Sequence, residues 1–119
     1  YLKNLFPDNI KQVNVFSAEG EMIGGTTLFI TDNVIHSQYI SLNKTFSNDG
    51  ILDFLHLSLI EKFKDEKKYF DFGISNENQG RNINKGLLFW KEKFGARSAI
   101  QEFYKFETKS FSKLDPLYI

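Results

Sequence analysis

The stretch that decides the fold opens with Val34-Ile35-His36-Ser37-Gln38-Tyr39-Ile40-Ser41-Leu42, passes through Asn43-Lys44-Thr45-Phe46-Ser47-Asn48-Asp49-Gly50, and then changes period. The first nine residues are rich in β-branched and aromatic types, as a strand requires. From Ile51 the apolar residues Ile51, Leu52, Leu55, Leu59, Ile60 and Phe63 recur at three and four, which predicts an amphipathic helix of about four turns. Ser47, Asn48 and Asp49 are good cap types ahead of it, and Lys62, Lys64, Lys67 and Lys68 crowd its other end, where cations favour the helix dipole. Tyr69-Phe70-Asp71-Phe72-Gly73-Ile74 then reads as a short apolar strand. Strand, helix and strand of this size predict a parallel crossover.

Upstream, Tyr1 to Pro7 reads as a helix tail or irregular lead-in stopped by Pro7. Val13 and Val15 alternate with polar residues from Gln12 to Phe16, Ala18-Glu19-Gly20-Glu21 punctuates, and Met22 to Ile30 is apolar and Thr-rich. With the turn at Thr31-Asp32-Asn33, these segments and Val34–Leu42 form an antiparallel meander of three strands. Downstream, Ser75 to Arg81 reads as a polar loop, and Ile83, Leu87, Trp90 and Phe94 form the stripe of a second helix ended by Gly95. Ser98 to Phe106 reads as a last strand, and Ser110 to Ile119 as a tail. The predicted class is α+β: three antiparallel strands, then helix, strand, helix and strand, in one domain over residues 1–119.

Composition narrows the function. Lys plus Arg and Asp plus Glu number 15 each, so no global field draws the chain to nucleic acid or an anionic membrane. The 13 Phe and 5 Tyr supply burial that a chain of 119 residues needs. Without cysteine there is neither a disulfide framework nor a thiolate nucleophile, a composition that fits the cytoplasm. No apolar run reaches membrane-spanning length, and the two histidines have no carboxylate spacing of a metal site.

The chemistry-bearing residues lie in the deciding stretch. A helix N-terminus has unpaired N–H groups and the positive end of the dipole, so a diphosphate can be held there by backbone, and Gly50 permits close approach. His36, on the strand before the loop, reads either as a general base acting on an amine through water or as a half-exposed sheet residue. His56 falls in the apolar arc of the helix and reads as a core histidine with one satisfied nitrogen. Asp71, among apolar residues, is expected to be paired or to have a raised pKa. Leu88 and Phe89 lie off the second helix's stripe and could cover a partner, a second copy included. Arg81, in a loop beside the cleft, could neutralise a phosphate or carboxylate.

The strand Tyr69-Phe70-Asp71-Phe72-Gly73 and the run Asn84-Lys85-Gly86-Leu87-Leu88-Phe89-Trp90-Lys91-Glu92-Lys93-Phe94-Gly95-Ala96-Arg97 resemble the GNAT acyltransferase superfamily, in particular its branch near the Fem-type peptidoglycan-bridge aminoacyl transferases. The resemblance spans roughly residues 9–106. It implies a GNAT-like mixed sheet lacking the superfamily's N-terminal strand and helices, so that the chain could be the C-terminal part of a longer protein. It implies an acyl-CoA donor such as acetyl-CoA, or an aminoacyl-tRNA in the Fem-type branch, and a small-molecule or peptide amine as acceptor. By the same likeness the strand around Ile40 and Leu42 pairs with the pantetheine arm, Ser47, Asn48, Asp49 and Gly50 hold the phosphates, and Asn84 faces the cofactor. Where many members place a tyrosine proton donor this chain has Lys91, which leaves a catalytically silent interaction module as the alternative to an enzyme.

Overall fold

The computed structural model describes residues 1–46 and 50–109. The expected phosphate-loop residues Ser47, Asn48 and Asp49, and the tail from Ser110, lie outside the described residues. A one-turn helix α1 (Leu2–Leu5) leads into strands β1 (Ile10–Phe16), β2 (Met22–Ile30) and β3 (Val34–Leu42). A 3-10 turn (Lys44–Phe46), helix α2 (Ile51–Phe63) and strand β4 (Tyr69–Asp71) follow. The sheet order is β1-β2-β3-β4, antiparallel until β4 joins β3 in parallel. The predicted crossover is therefore present, with α2 packed on one face of the sheet.

Side-chain alternation explains which face. Ile35 and Ser37 on β3 and Thr26 and Leu28 on β2 are buried, and α2 lays Ile51, Leu55, His56 and Leu59 toward the sheet. Leu28, Ile35, Leu55 and Leu59 form the centre of the core, with Val13, Val15, Ile30, Leu52, Phe63 and Phe70 packed around them. Helix and sheet approach closely at Gly24, where an added Cβ would lie 3.0 Å from Ile51 Cγ2. A larger residue there would push the first turn of α2 off the sheet.

Four expectations are corrected. The N-cap of α2 is Gly50, in the left-handed region at φ 65°, and not one of the preceding cap-type residues. Ser75 to Arg81 is not all loop: Asn76–Glu77 (β5) pairs antiparallel with Asn82–Ile83 (β6) around Asn78, Gln79 and Gly80, all at positive φ. Ile83 thus belongs to a small hairpin and is 59% exposed, and the second helix, α3 (Lys85–Glu92), starts after it. Residues 98–106 form no strand, since no sheet edge receives them; Ile100, Phe103, Tyr104 and Phe106 stay exposed.

Truncating Leu55 to Ala is expected to cost about 2–5 kcal/mol, the usual range for a large-to-small change in a packed core. Urea denaturation followed by circular dichroism reads this directly, and a loss below 1 kcal/mol would mean that α2 is not the helix holding the sheet.

Candidate functional site

The site begins where the sheet comes apart. β3 is nine residues long, but its parallel pairing with β4 covers only Val34 with Tyr69, Ile35 with Phe70 and His36 with Asp71. Beyond them β4 ends, and among the described residues no strand pairs with this edge of β3 from Gln38 to Leu42. Two local devices make the divergence. Gly73 takes φ 74°, a left-handed conformation that costs glycine little, and turns the chain away from β3. On β3 the register with β2 slips between Thr27 and Leu28, leaving Gln38 as the extra residue of a bulge.

The third device is Lys91 of α3. Its side chain is buried, and its Nζ donates to the carbonyls of Gly73 (3.0 Å) and Ile74 (2.6 Å). Acceptors that would extend β4 along β3 are thereby drawn to α3. Burial lowers the Lys91 pKa below the ordinary lysine value, against the opposing charge of Asp71. The sequence showed this lysine only as a substitution; its role depends on a tertiary contact that spacing does not reveal.

Ile40 and Leu42 lie in the unpaired part of β3, at 37% exposure for Ile40, and Gly50 stands exposed at the start of α2. Ile40 and Leu42 thus lie on the part of β3 that has no β4 partner, and Gly50 begins the helix that follows β3. Asn84 is the N-cap of α3: its Oδ1 accepts from Leu87 N at 2.9 Å and its Nδ2 donates to Glu77 at 2.8 Å. Both ends of its carboxamide are engaged within the protein. His36 lies at the last paired position, with Nδ1 2.8 Å from Asp71 Oδ2. Asp71 was singled out for its polarity in an apolar run, and its partners prove to be His36 and the Gly73 amide.

His56 corrects the expectation of one satisfied nitrogen. Thr26 Oγ1 lies 2.7 Å from Ser37 Oγ, Ser37 Oγ 3.2 Å from His56 Nε2, and His56 Nδ1 2.8 Å from the Leu52 carbonyl. Since Leu52 O can only accept, Nδ1 carries the proton, Nε2 accepts from Ser37, and Ser37 accepts from Thr26. Phe70, Phe72, Trp90 and Phe94 surround the ring, Phe72 stacked at 5.5 Å and Trp90 edge-on at 5.1 Å. Trp90 Nε1 donates to Asp53 Oδ1 at 2.6 Å and so ties α3 to the first turn of α2.

Among the described residues no helix is long and apolar enough to cross a membrane, and no three His, Asp or Glu side chains cluster as metal ligands do. On α3, Phe89 is 66% exposed and Leu88 half-buried. Arg81 lies in the turn of the β5–β6 hairpin, beside Asn78, Gln79 and Asn82.

Burial sets His56 below the ordinary histidine range, the Leu52 bond and the Asp53 charge pulling the other way. The unfolded chain therefore takes up a proton at this residue more readily than the folded one. Stability is expected to be level above the unfolded pKa of about 6.5 and to fall as pH drops below it. Urea midpoints at pH 8, 7, 6 and 5 measure this, and a His36→Gln variant should keep the decline; a flat profile would contradict the buried neutral ring. Replacing Lys91 with Met leaves two carbonyls unpaired and is expected to cost about 1–3 kcal/mol, again read by denaturation.

No protein-family model matches the chain, and no curated protein matches it in sequence. Solved structures do match in shape. An acetyltransferase of Trypanosoma brucei superposes with TM-score 0.65 at 16% identity, over 89% of this chain and 75% of the other. An aminoglycoside acetyltransferase from an uncultured soil metagenomic sample gives TM-score 0.61 at 17% identity, over 84% of this chain and 67% of the other. The chain, a three-stranded meander with a parallel crossover, thus shares the α+β fold of these two acetyltransferases.

Proposed function

We propose that the protein is an N-acyltransferase that takes an acyl group from acyl-CoA, acetyl-CoA first among candidates, and passes it to an amine by direct attack. The observation that carries this reading is that the β3–β4 pairing ends at His36 and Asp71, leaving the rest of β3 without a partner on that side among the described residues. An unpaired strand edge offers amides and carbonyls to a pantetheine arm in the way a further strand would. Ile40 and Leu42 supply that edge, and the backbone amides at the N-terminus of α2 are the proposed diphosphate site. The fold shared with two acetyltransferases supports the same donor chemistry, and Ser47, Asn48 and Asp49 complete the proposed phosphate loop.

The reaction needs little covalent chemistry from the protein. Holding an amine against a thioester carbonyl can supply about 7–11 kcal/mol of the barrier through orientation alone. Backbone N–H groups at the Gln38 bulge are the donors for the oxyanion, because a bulge turns amides out of the ladder. His36 is the proposed base for the amine proton, and the Lys91 cation beside the diverging segment favours departure of the thiolate. Acceptors to try first are aminoglycosides, on the likeness to the metagenomic acetyltransferase.

Calorimetric titration with acetyl-CoA and with CoA is expected to show saturable binding, and no heat up to millimolar ligand would remove the proposal. With an accepted amine, His36→Gln is expected to lower kcat about 10²–10⁴-fold, the usual contribution of a general base, with acetyl-CoA affinity unchanged.

A further inference from the structure

The two histidines meet opposite fates. His56 has both nitrogens sealed in the core, whereas His36 stands on the sheet face turned away from α2, since its neighbours Ile35 and Ser37 point into the core. Its ring remains reachable, with the side chain 25% exposed. Across the last parallel pair, Asp71 holds it at Nδ1. The carboxylate is itself fixed at its other oxygen, where Oδ1 accepts from the Gly73 amide at 2.7 Å. The fit is close: a Cβ on Gly73 would lie 3.4 Å from His36 Cε1. On the ring's far side Nε2 lies 2.5 Å from Oε1 of Gln38, the bulged residue.

We propose that Asp71 is a positioning residue that keeps His36 as the Nδ1–H tautomer, so that Nε2 is the atom that takes the proton from the attacking amine, with Gln38 as a reversible cover over that atom. The inference rests on the acyl-transfer reading for its purpose but not for its test. In the step, the amine lone pair forms the C–N bond to the thioester carbonyl carbon. The amine's surplus proton passes to His36 Nε2, and the C–S bond breaks with its electron pair leaving on the CoA sulfur.

Gln38 suits both states of the ring. A carboxylate at Nδ1 fixes a proton there, so neutral His36 offers Nε2 as an acceptor to the Gln38 NH₂ group; a half-turn of the amide presents its oxygen to the protonated ring. The structure places Oε1 of Gln38 against Nε2, and the half-turn of the same amide places its NH₂ group there. Asp71 has no substitute in this scheme. In an Asp71→Asn variant the single carbonyl oxygen is claimed by the Gly73 amide, and the NH₂ group then faces Nδ1 and forces the proton to Nε2.

Long-range ¹H–¹⁵N correlation spectra of the labelled protein at pH 8.5 test this without any acyl-CoA, His36→Gln assigning the two rings. His36 is expected as the Nδ1–H form in the wild type and as the Nε2–H form in Asp71→Asn, with the His56 pattern unchanged as the control for folding. An Nε2–H ring in the wild type, or the same tautomer in both proteins, would overturn the proposal. If Asp71→Asn does not fold, carbethoxylation by diethyl pyrocarbonate decides: His36 should react and His56 should not, and Gln38→Ala should speed the reaction several-fold. An inert His36, or a rate indifferent to Gln38, would overturn it. Because neither measurement uses a donor, their failure and a failure to bind acetyl-CoA are separate results.

Discussion

Three residue pairs bind β4 to β3, and the rest of the molecule depends on there being three and no more. Within them, the middle pair Ile35 and Phe70 feeds the core under α2, so the pairs must form for the crossover to close. After them, the strands must separate for any ligand to enter the sheet. The limit is set by positive means: a left-handed Gly73, a bulge at Gln38, and a buried lysine that takes the Gly73 and Ile74 carbonyls. An unpaired carbonyl in such a place would be costly, and Lys91 removes that cost while leaving the edge of β3 free.

A second constraint runs through the core as a directed chain. From Thr26 through Ser37 and His56 to Leu52, each group donates to the next, joining β2, β3 and α2 by side chains that fit one register only. A one-residue slip of β3 would expose Ser37 and bury a neighbour with no partner for His56. The aromatic rings around His56 then carry α3 into the same unit, because Trp90 and Phe94 pack on the ring and on Phe72.

Much of this architecture was legible in the sequence, where local period and tertiary environment agree. The strand Val34–Leu42 and the helix Ile51–Phe63 have the extents their periods predict, and the crossover follows from their lengths. The misses share one physical cause. Tyr69–Ile74 reads as a strand, but the strand stops at Asp71 because Gly73 and Lys91 redirect it, and Lys91 lies in a different element. Residues 98–106 have strand composition too, yet composition does not decide whether a segment docks on an available edge. The site divides likewise: His36 and Asp71 each stood out, one as a titratable strand residue and one as a charge among apolar neighbours. That they touch depended on a register between strands 35 positions apart, which no local pattern encodes.

The bond between Trp90 and Asp53 has a practical consequence. The chain has a single tryptophan, and its indole spans from the opening turn of α2 to the rings packed on α3. Its emission wavelength and yield depend on that carboxylate and on those rings, so ultraviolet fluorescence of the unlabelled protein reports, at one spot, whether the two helices remain joined.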